Sequence, residues 1–297
     1  MNDSLLVAAL AGLGGMAGWG MADFFAKKTI DRVGDITSLV WAHLFGTLIF
    51  IFFAFYQGVI TDNWLTFPSG GLAWLGLAFF GVLQMIVYWL VYKGFSKGQL
   101  AVLNPVFASY AGLVALISIA FLGEKLNSGV VAALLTLFIG LILLNSDLES
   151  LRRRRLKVAP GLKEVGLASL LAAFWTLGWN KFVKGQNFLA YALFMYFFMT
   201  VAAAVLAKSQ RVKLGGPKRG LWKFFILIGL GEAIAYLAIS MGFSKTSHTS
   251  VVALISGCFS LPTVILAWVF LKERVSRLQV LAIVIILTGI ILVSLAP

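Results

Sequence analysis

Apolar residues along this chain come in long runs separated by short polar breaks. Ten stretches, at about 5–26, 37–57, 71–92, 99–121, 128–145, 165–182, 188–207, 221–242, 249–271 and 278–295, are each predominantly apolar over the roughly 20 residues an α-helix needs to cross the hydrocarbon core of a bilayer. The breaks are short except at 61–70, in the basic run 147–163, and at 208–220, which is rich in Lys, Arg and Gly and holds Pro217. An outer-membrane barrel would show alternating segments of about ten residues, and these runs are too long and too uniform for that. The pattern predicts an all-α integral membrane protein with ten transmembrane helices.

Composition supports that reading. The chain is 61% hydrophobic and 12% charged, with a mean hydropathy of +0.97, against about 45–50% and 25% in soluble domains. No polar segment is long enough to fold alone. A net charge of +13 would point a soluble chain towards nucleic acid or an acidic partner. Here the Lys and Arg residues fall between the apolar runs, so they read as topology signals and contacts to anionic lipid headgroups, and no nucleic-acid partner is expected. The single Cys258 excludes an internal disulfide and any multi-cysteine metal site. The start MNDSLLVAAL lacks the basic n-region of a signal peptide, so the first run is expected to be a retained helix.

The two halves overlay. Gly81 to Lys97 reads GVLQMIVYWLVYKGFSK and Gly229 to Lys245 reads GLGEAIAYLAISMGFSK, with seven identities in seventeen positions at an offset of 148. That register sets Gln84 over Glu232 and Tyr88 over Tyr236. At an offset of 149, FLGEKL from Phe121 overlays FLKERV from Phe270, and Gly140 overlays Gly289. Five helices per repeat is odd, so the second copy enters the bilayer in the opposite sense. Such inverted repeats characterise transporters that expose one midplane site to each side in turn. The expected organisation is a first five-helix repeat over 1–146, a basic connecting loop over 147–163 and a second repeat over 164–297, packed around a central cavity.

These halves resemble paired EamA-type domains of the drug/metabolite transporter superfamily. The resemblance rests on Trp19 and Gly20 with Lys27 and Lys28 ending helix one, on LNPVFASY from Leu103, and on the LGEKL and LKERV helix ends, each followed by a Gly-bearing apolar helix. It covers essentially the whole chain. It implies a ten-helix bundle in a cell membrane that moves small metabolites, often outward, and termini on the cytoplasmic side. Related proteins often carry an Arg early in helix two, where this chain has His43. The chain's own charge points the other way on orientation. Loops after odd-numbered helices hold 20 of the 24 Lys and Arg residues, and by the positive-inside rule those loops are cytoplasmic and the termini external.

Polar residues inside the runs are the candidates for function. Glu232 lies mid-helix, where a charge costs on the order of 3 kcal/mol, so it is expected to face a cavity or a partner and to take up and release a proton. Gln84 is its repeat mate. Tyr88 and Tyr236 follow one turn later on the same faces, and a carboxylate with aromatic walls suits an amine or aromatic amino acid through charge and cation–π contact. Asp23 either faces the cavity, with Trp19 one turn before it, or pairs with Lys27. Trp175, Trp179 and Asn180 occupy the matching stretch of helix six. His43 reads as a proton relay or as a structural hydrogen-bonder, and Asn104 as a cap opening helix four beside Pro105 or as a ligand contact. Pro262 is expected to kink helix nine. Gly12, Gly14, Gly15, Gly18 and Gly20 permit close helix contact. Glu124 with Lys125, and Glu273 with Arg274, read as boundary charges and gate pairs.

The function these features predict is secondary transport of a small polar or amphipathic metabolite, such as an amine or amino acid, by alternating access coupled to a proton at Glu232. A carrier or flippase for a sugar-phosphate or lipid-linked substrate would need cavity cations, and Lys181 near the end of helix six is the closest. A membrane-embedded enzyme is the alternative of a different class. Its support is thin: His43 and His248 are far apart, and no HExxH, multi-aspartate or Walker A sequence occurs. No metal or cofactor is expected, and both a monomer and a homodimer fit.

Overall fold

A computed structural model describes residues 3–62, 64–98, 100–144, 160–216, 220–271 and 275–295. The basic residues Arg152 to Arg155 and Lys157, Pro217, and the Glu273–Arg274 pair lie outside the described residues. Twelve helices and no strand occur among them: α1 (Asp3–Val33), α2 (Asp35–Thr61), α3 (Gly71–Lys97), α4 (Leu100–Ala108), α5 (Tyr110–Phe121), α6 (Ser128–Leu144), α7 (Leu162–Val183), α8 (Phe188–Ser209), α9 (Trp222–Lys245), α10 (Thr249–Gly257), α11 (Ser260–Leu271) and α12 (Arg277–Leu295). α4 and α5 form the fourth span and α10 and α11 the ninth, so the twelve helices make the ten spans that the apolar runs predict.

Several helices outrun their apolar segments. α1 continues to Val33 and stops at Gly34, whose φ of 84° leaves the helical region. Hydrogen bonding, and not hydrophobicity, sets where a helix ends, so the polar turns Lys27–Arg32 and Lys93–Lys97 remain helical. Starts are marked by side-chain caps. Asn127 accepts from Val130 N at 2.8 Å to open α6. Ser276 and Gln279 cap each other's backbone N–H groups, at 3.2 and 2.9 Å, to open α12. These caps sit 149 residues apart, the repeat offset.

The broken spans obey the same offset. Span four breaks at Ser109 and span nine at Cys258, again 149 residues on. The expected kink in helix nine is thus a full break, four residues before Pro262. Proline has no N–H for the carbonyl at i−4, here Cys258, and its ring crowds that carbonyl. Asn104, expected to cap helix four, lies inside α4, and its side chain turns to another helix.

Packing follows the repeat as well. α1 packs on α9 and α10, and its repeat mate α7 packs on α3 and on α4 and α5. α2 lies against α9 as α8 lies against α3, and the repeat mates α2–α8 and α6–α12 pair across the pseudo-two-fold, while α5 of span four lies on α10 of span nine without an equal counterpart. The tightest crossing is α1 on α9. A Cβ on Gly18 would lie 2.3 Å from the Gly231 carbonyl oxygen and 2.8 Å from Ala235 N, and one on Gly231 would lie 2.5 Å from the Gly18 oxygen. Backbone touches backbone here, as small residues allow between helices in lipid. Farther along α1, a Cβ on Gly20 would meet Pro262 at 2.2 Å.

Since the obstacle at Gly18 is backbone, no rotamer change relieves it. Gly18→Leu is expected to abolish a monodisperse peak in detergent size-exclusion chromatography, whereas Gly166→Ala, at a site with open space around it, should leave the profile unchanged. A well-behaved Gly18→Leu protein would refute the backbone contact.

Candidate functional site

α1 carries Trp19 and Asp23 one turn apart, and the crossing at Gly18 brings both against α9 at Glu232 and Tyr236. Around them lies a small cavity of about 20 Å³, lined by Trp19, Asp23, Gln84, Tyr88, Tyr110 and Trp175 among others. That volume holds about one water molecule, so the site is occluded. Both ends are shut. On the odd-loop side Lys97 of α3 pairs with Glu164 of α7, and Lys27 donates to Asp31 and to the Phe95 carbonyl, each at 2.9 Å. On the even-loop side the Glu124 carboxylate accepts from Ser250 N at 3.0 Å and Ser250 Oγ at 2.7 Å, clasping the end of span four to the start of span nine.

Asp23 faces this cavity, and Lys27 has turned away from it to Asp31. Asp23, only 6% exposed, accepts a hydrogen bond from Asn104 Nδ2 at 2.9 Å, and Asn104 Oδ1 accepts from Ser260 Oγ at 2.5 Å. This chain ties α1 to the two broken spans, so any rearrangement at the breaks reaches Asp23. Asn104 is therefore a support for Asp23 and not a helix cap.

Glu232 is not among the cavity-lining residues. It is fully buried with His43 behind the Tyr236 and Tyr88 wall, where it accepts a hydrogen bond from Tyr196 OH. His43 Nε2 lies 3.7 Å from Glu232 Oε2, and His43 Nδ1 is 2.7 Å from the Leu39 carbonyl. A carbonyl only accepts, so Nδ1 carries the proton and Nε2 is left to face the carboxyl. His43 stacks on Tyr196 at 5.3 Å and 16° and meets Tyr88 edge-on at 5.4 Å. Among the described residues no Lys or Arg pairs with Glu232. A lone buried carboxylate is costly, so the pair is stable either as carboxylic acid with neutral imidazole or as carboxylate with imidazolium. Both forms hold one exchangeable proton between the two groups.

The wall between acid and cavity is a hydrogen-bonded aromatic layer. Gln84 Nε2 donates to Tyr236 OH at 2.7 Å. The Tyr236 ring touches Trp19, Trp175 and Tyr196 edge-on at 5.7, 5.8 and 5.6 Å. Trp175 stacks on Trp179 at 5.5 Å, and their indole N–H groups donate to the Phe80 carbonyl and Ser240 Oγ at 3.0 and 3.1 Å. These tryptophans are buried scaffolding and not interfacial anchors. Trp19 Nε1 and Gln84 Oε1, a donor and an acceptor beside the cavity, have no hydrogen-bond partner among the described residues, and neither does Glu232 Oε1.

The structure thus brings together Trp19, Asp23, Gln84, Tyr88 and Trp175 at the cavity, backs them with Tyr236, Trp179 and Asn104, and sets His43 and Glu232 in an adjoining buried pocket. Asn180 stands apart, in a polar opening at the even-loop end of α7. Tyr196 and Ser260 went unnoticed in the sequence. A tyrosine inside the apolar run 188–207 was the available signal for the first; nothing marks the second.

Fold and site define a ten-span inverted-repeat membrane protein with a small, aromatic-walled cavity holding an acid at its centre. The EamA-like transporter family matches residues 6–146 and 163–295, and the chain belongs to that family, within the drug/metabolite transporter superfamily. It is also similar to a solved structure described only as "Crystal structure of protein", at 15% identity and a TM-score of 0.72, over 99% of this chain and 98% of that one. Among curated proteins, none matches the chain in sequence.

Two outcomes follow from this geometry. Tyr196→Phe removes the donor to Glu232 and should lower stability in detergent by about 1–3 kcal/mol. Combined with Glu232→Gln, the loss should be clearly less than additive, and additive losses would deny the contact. Burial pushes the Glu124 carboxyl above its ordinary value of 4.5, against the opposing pull of the Ser250 hydrogen bonds. A proton held more tightly in the clasped than in the released form favours the clasp in acid. Its contribution is full below about pH 4.5 and is lost as pH rises through the raised value. Amide exchange at Ser250 and Val251, corrected for its intrinsic pH dependence, should show protection falling as pH rises, and Glu124→Gln should flatten that slope.

Proposed function

We propose that this chain is a proton-coupled secondary transporter of an amine-bearing metabolite, an amine or amino acid, working by alternating access. The observation that carries the reading is the separation of its two central acids: Asp23 lines the aromatic-walled cavity, while Glu232 is sealed with His43 behind the tyrosine wall. Asp23, with Gln84 Oε1 and the faces of Trp19, Tyr88 and Trp175, suits an ammonium group by charge, hydrogen bonding and cation–π attraction. Glu232 and His43 suit a single proton. Tyr236 touches both compartments, so a solute against Trp19 and Trp175 presses on the layer that holds Glu232. The breaks at Ser109 and Cys258 supply matched flexing points in the two repeats, and the Asp23–Asn104–Ser260 chain links them to the solute site. Among the described residues no lysine or arginine lines the cavity, which disfavours a sugar-phosphate in that position. Export is the direction the family resemblance implies, and the charge bias of the loops supports external termini.

The test is proton release from protein purified in detergent, on addition of a panel of amines, amino acids and sugar phosphates. Wild type should release protons with amine-bearing compounds only. Glu232→Gln should still bind them but release none, and Asp23→Asn should weaken binding by roughly tenfold or more, equivalent to about 1.4 kcal/mol. Release that persists in Glu232→Gln would remove the acid from the coupling role.

A further inference from the structure

The opening that holds Asn180 has the opposite charge character to the central cavity. It has a volume of about 520 Å³ and is lined by Ser118, Glu124, Lys125, Lys181, Lys184 and His248 among others. The even-loop side carries only four lysines, Lys125, Lys181, Lys184 and Lys245, and three of them converge on this one opening. None of the three has an ion-pair partner among the described residues. The single acid present, Glu124, is committed to Ser250. His248 adds no charge, because burial and then the neighbouring Lys184 ammonium push its ring below the usual imidazole range. Ser118, only 1% exposed, lines the same opening with a hydroxyl that has no hydrogen-bond partner among the described residues.

The opening lies on the route to the solute site. Thr176 lines the cavity and Asn180, one turn further along α7, lines the opening; on α5, Tyr110 lines the cavity and Ser118, two turns on, the opening. At 1.5 Å per residue these steps are about 6 and 12 Å. The path from the even-loop side therefore runs from a basic mouth to an acidic, aromatic centre.

We propose that this mouth is a second binding station, which takes the carboxylate of a zwitterionic solute through Lys125, Lys181 and the Ser118 hydroxyl before the ammonium end reaches Asp23. The proposal rests on the amine-bearing reading above and narrows it: the substrate is an amino acid and not a simple amine. The two charges of an α-amino acid are too close together to bridge both sites, so the stations act in sequence. A simple amine gains nothing at the mouth and is repelled there, and the attraction weakens with salt.

The experiment measures binding in nanodiscs of neutral phosphatidylcholine at low salt, using phenylalanine, phenethylamine and 3-phenylpropionate, chosen because the cavity walls are aromatic. In the exposed-site double variant Lys125→Gln/Lys181→Gln, phenylalanine and phenylpropionate should bind about fivefold or more weakly, while phenethylamine binds as well as before or better. Ser118→Ala should weaken the same two ligands. Asp23→Asn should lose phenethylamine and keep phenylpropionate. Equal losses for all three ligands in the lysine variant, or no change in any, overturn the proposal. So does a mouth that protects against lysine modification in phosphatidylglycerol nanodiscs but never with phenylpropionate, since its occupant is then a lipid headgroup. If phenylpropionate binding depends on the lysines while no amine binds wild type, the anion station stands and the amine-transport reading fails.

Discussion

Two carboxyl groups are held out of water inside this bundle, and among the described residues neither has a lysine or arginine beside it. In hydrocarbon a bare carboxylate is not tolerated, so each acid needs neutral donors, a proton, or a cation brought from outside. The arrangement of the other central residues follows from that need. Asp23 has Asn104, itself fixed by Ser260, and an adjoining cavity in which a cationic solute can complete its coordination. Glu232 has the Tyr196 hydroxyl and lies against Nε2 of His43. The two acids thereby occupy separate places, Asp23 at the cavity and Glu232 in the pocket with His43, with Tyr236 between them.

The scaffold that makes this division is the inverted repeat. Its symmetry is seen in the helix pairings, and in the caps at Asn127 and Ser276 and the breaks at Ser109 and Cys258, which share one offset. The site is nevertheless asymmetric where chemistry is required. Gln84 and Glu232 occupy equivalent positions, yet Gln84 stands at the cavity and Glu232 in the sealed pocket. The cage is near-symmetric, and the residues on its inner faces differ between the halves.

Charge varies along the same axis. The centre is acidic and walled by aromatic rings, and the even-loop mouth is basic. A solute bearing one charge would meet an unfavourable field at one of these places. One bearing both meets a favourable field at each in turn, provided it can present its ends in order.

Much of this was readable from the chain alone. Ten spans follow from the lengths of the apolar runs, because bilayer thickness dictates helix length. The repeat follows from the 148–149 offset, and Glu232 and Gln84 stand out as candidates by the cost of polar groups at mid-membrane depth, while Asp23, near the end of helix one, could read equally as a cavity residue or a partner of Lys27. Helix ends were less legible, as at Val33 and Lys97, since hydrogen bonding carries helices past the apolar segment. Which way each acid faces was decided only by tertiary structure. Asp23 and Glu232 look alike in one dimension, both an acid beside an aromatic residue one turn away. Their different surroundings depend on the α1–α9 crossing at Gly18 and Gly231, which sets what lies opposite each side chain. Tyr196, Ser260 and the basic mouth depend likewise on residues far apart in the chain meeting in space. Hydropathy reports how deep a residue sits in the bilayer, and only packing reports its neighbours.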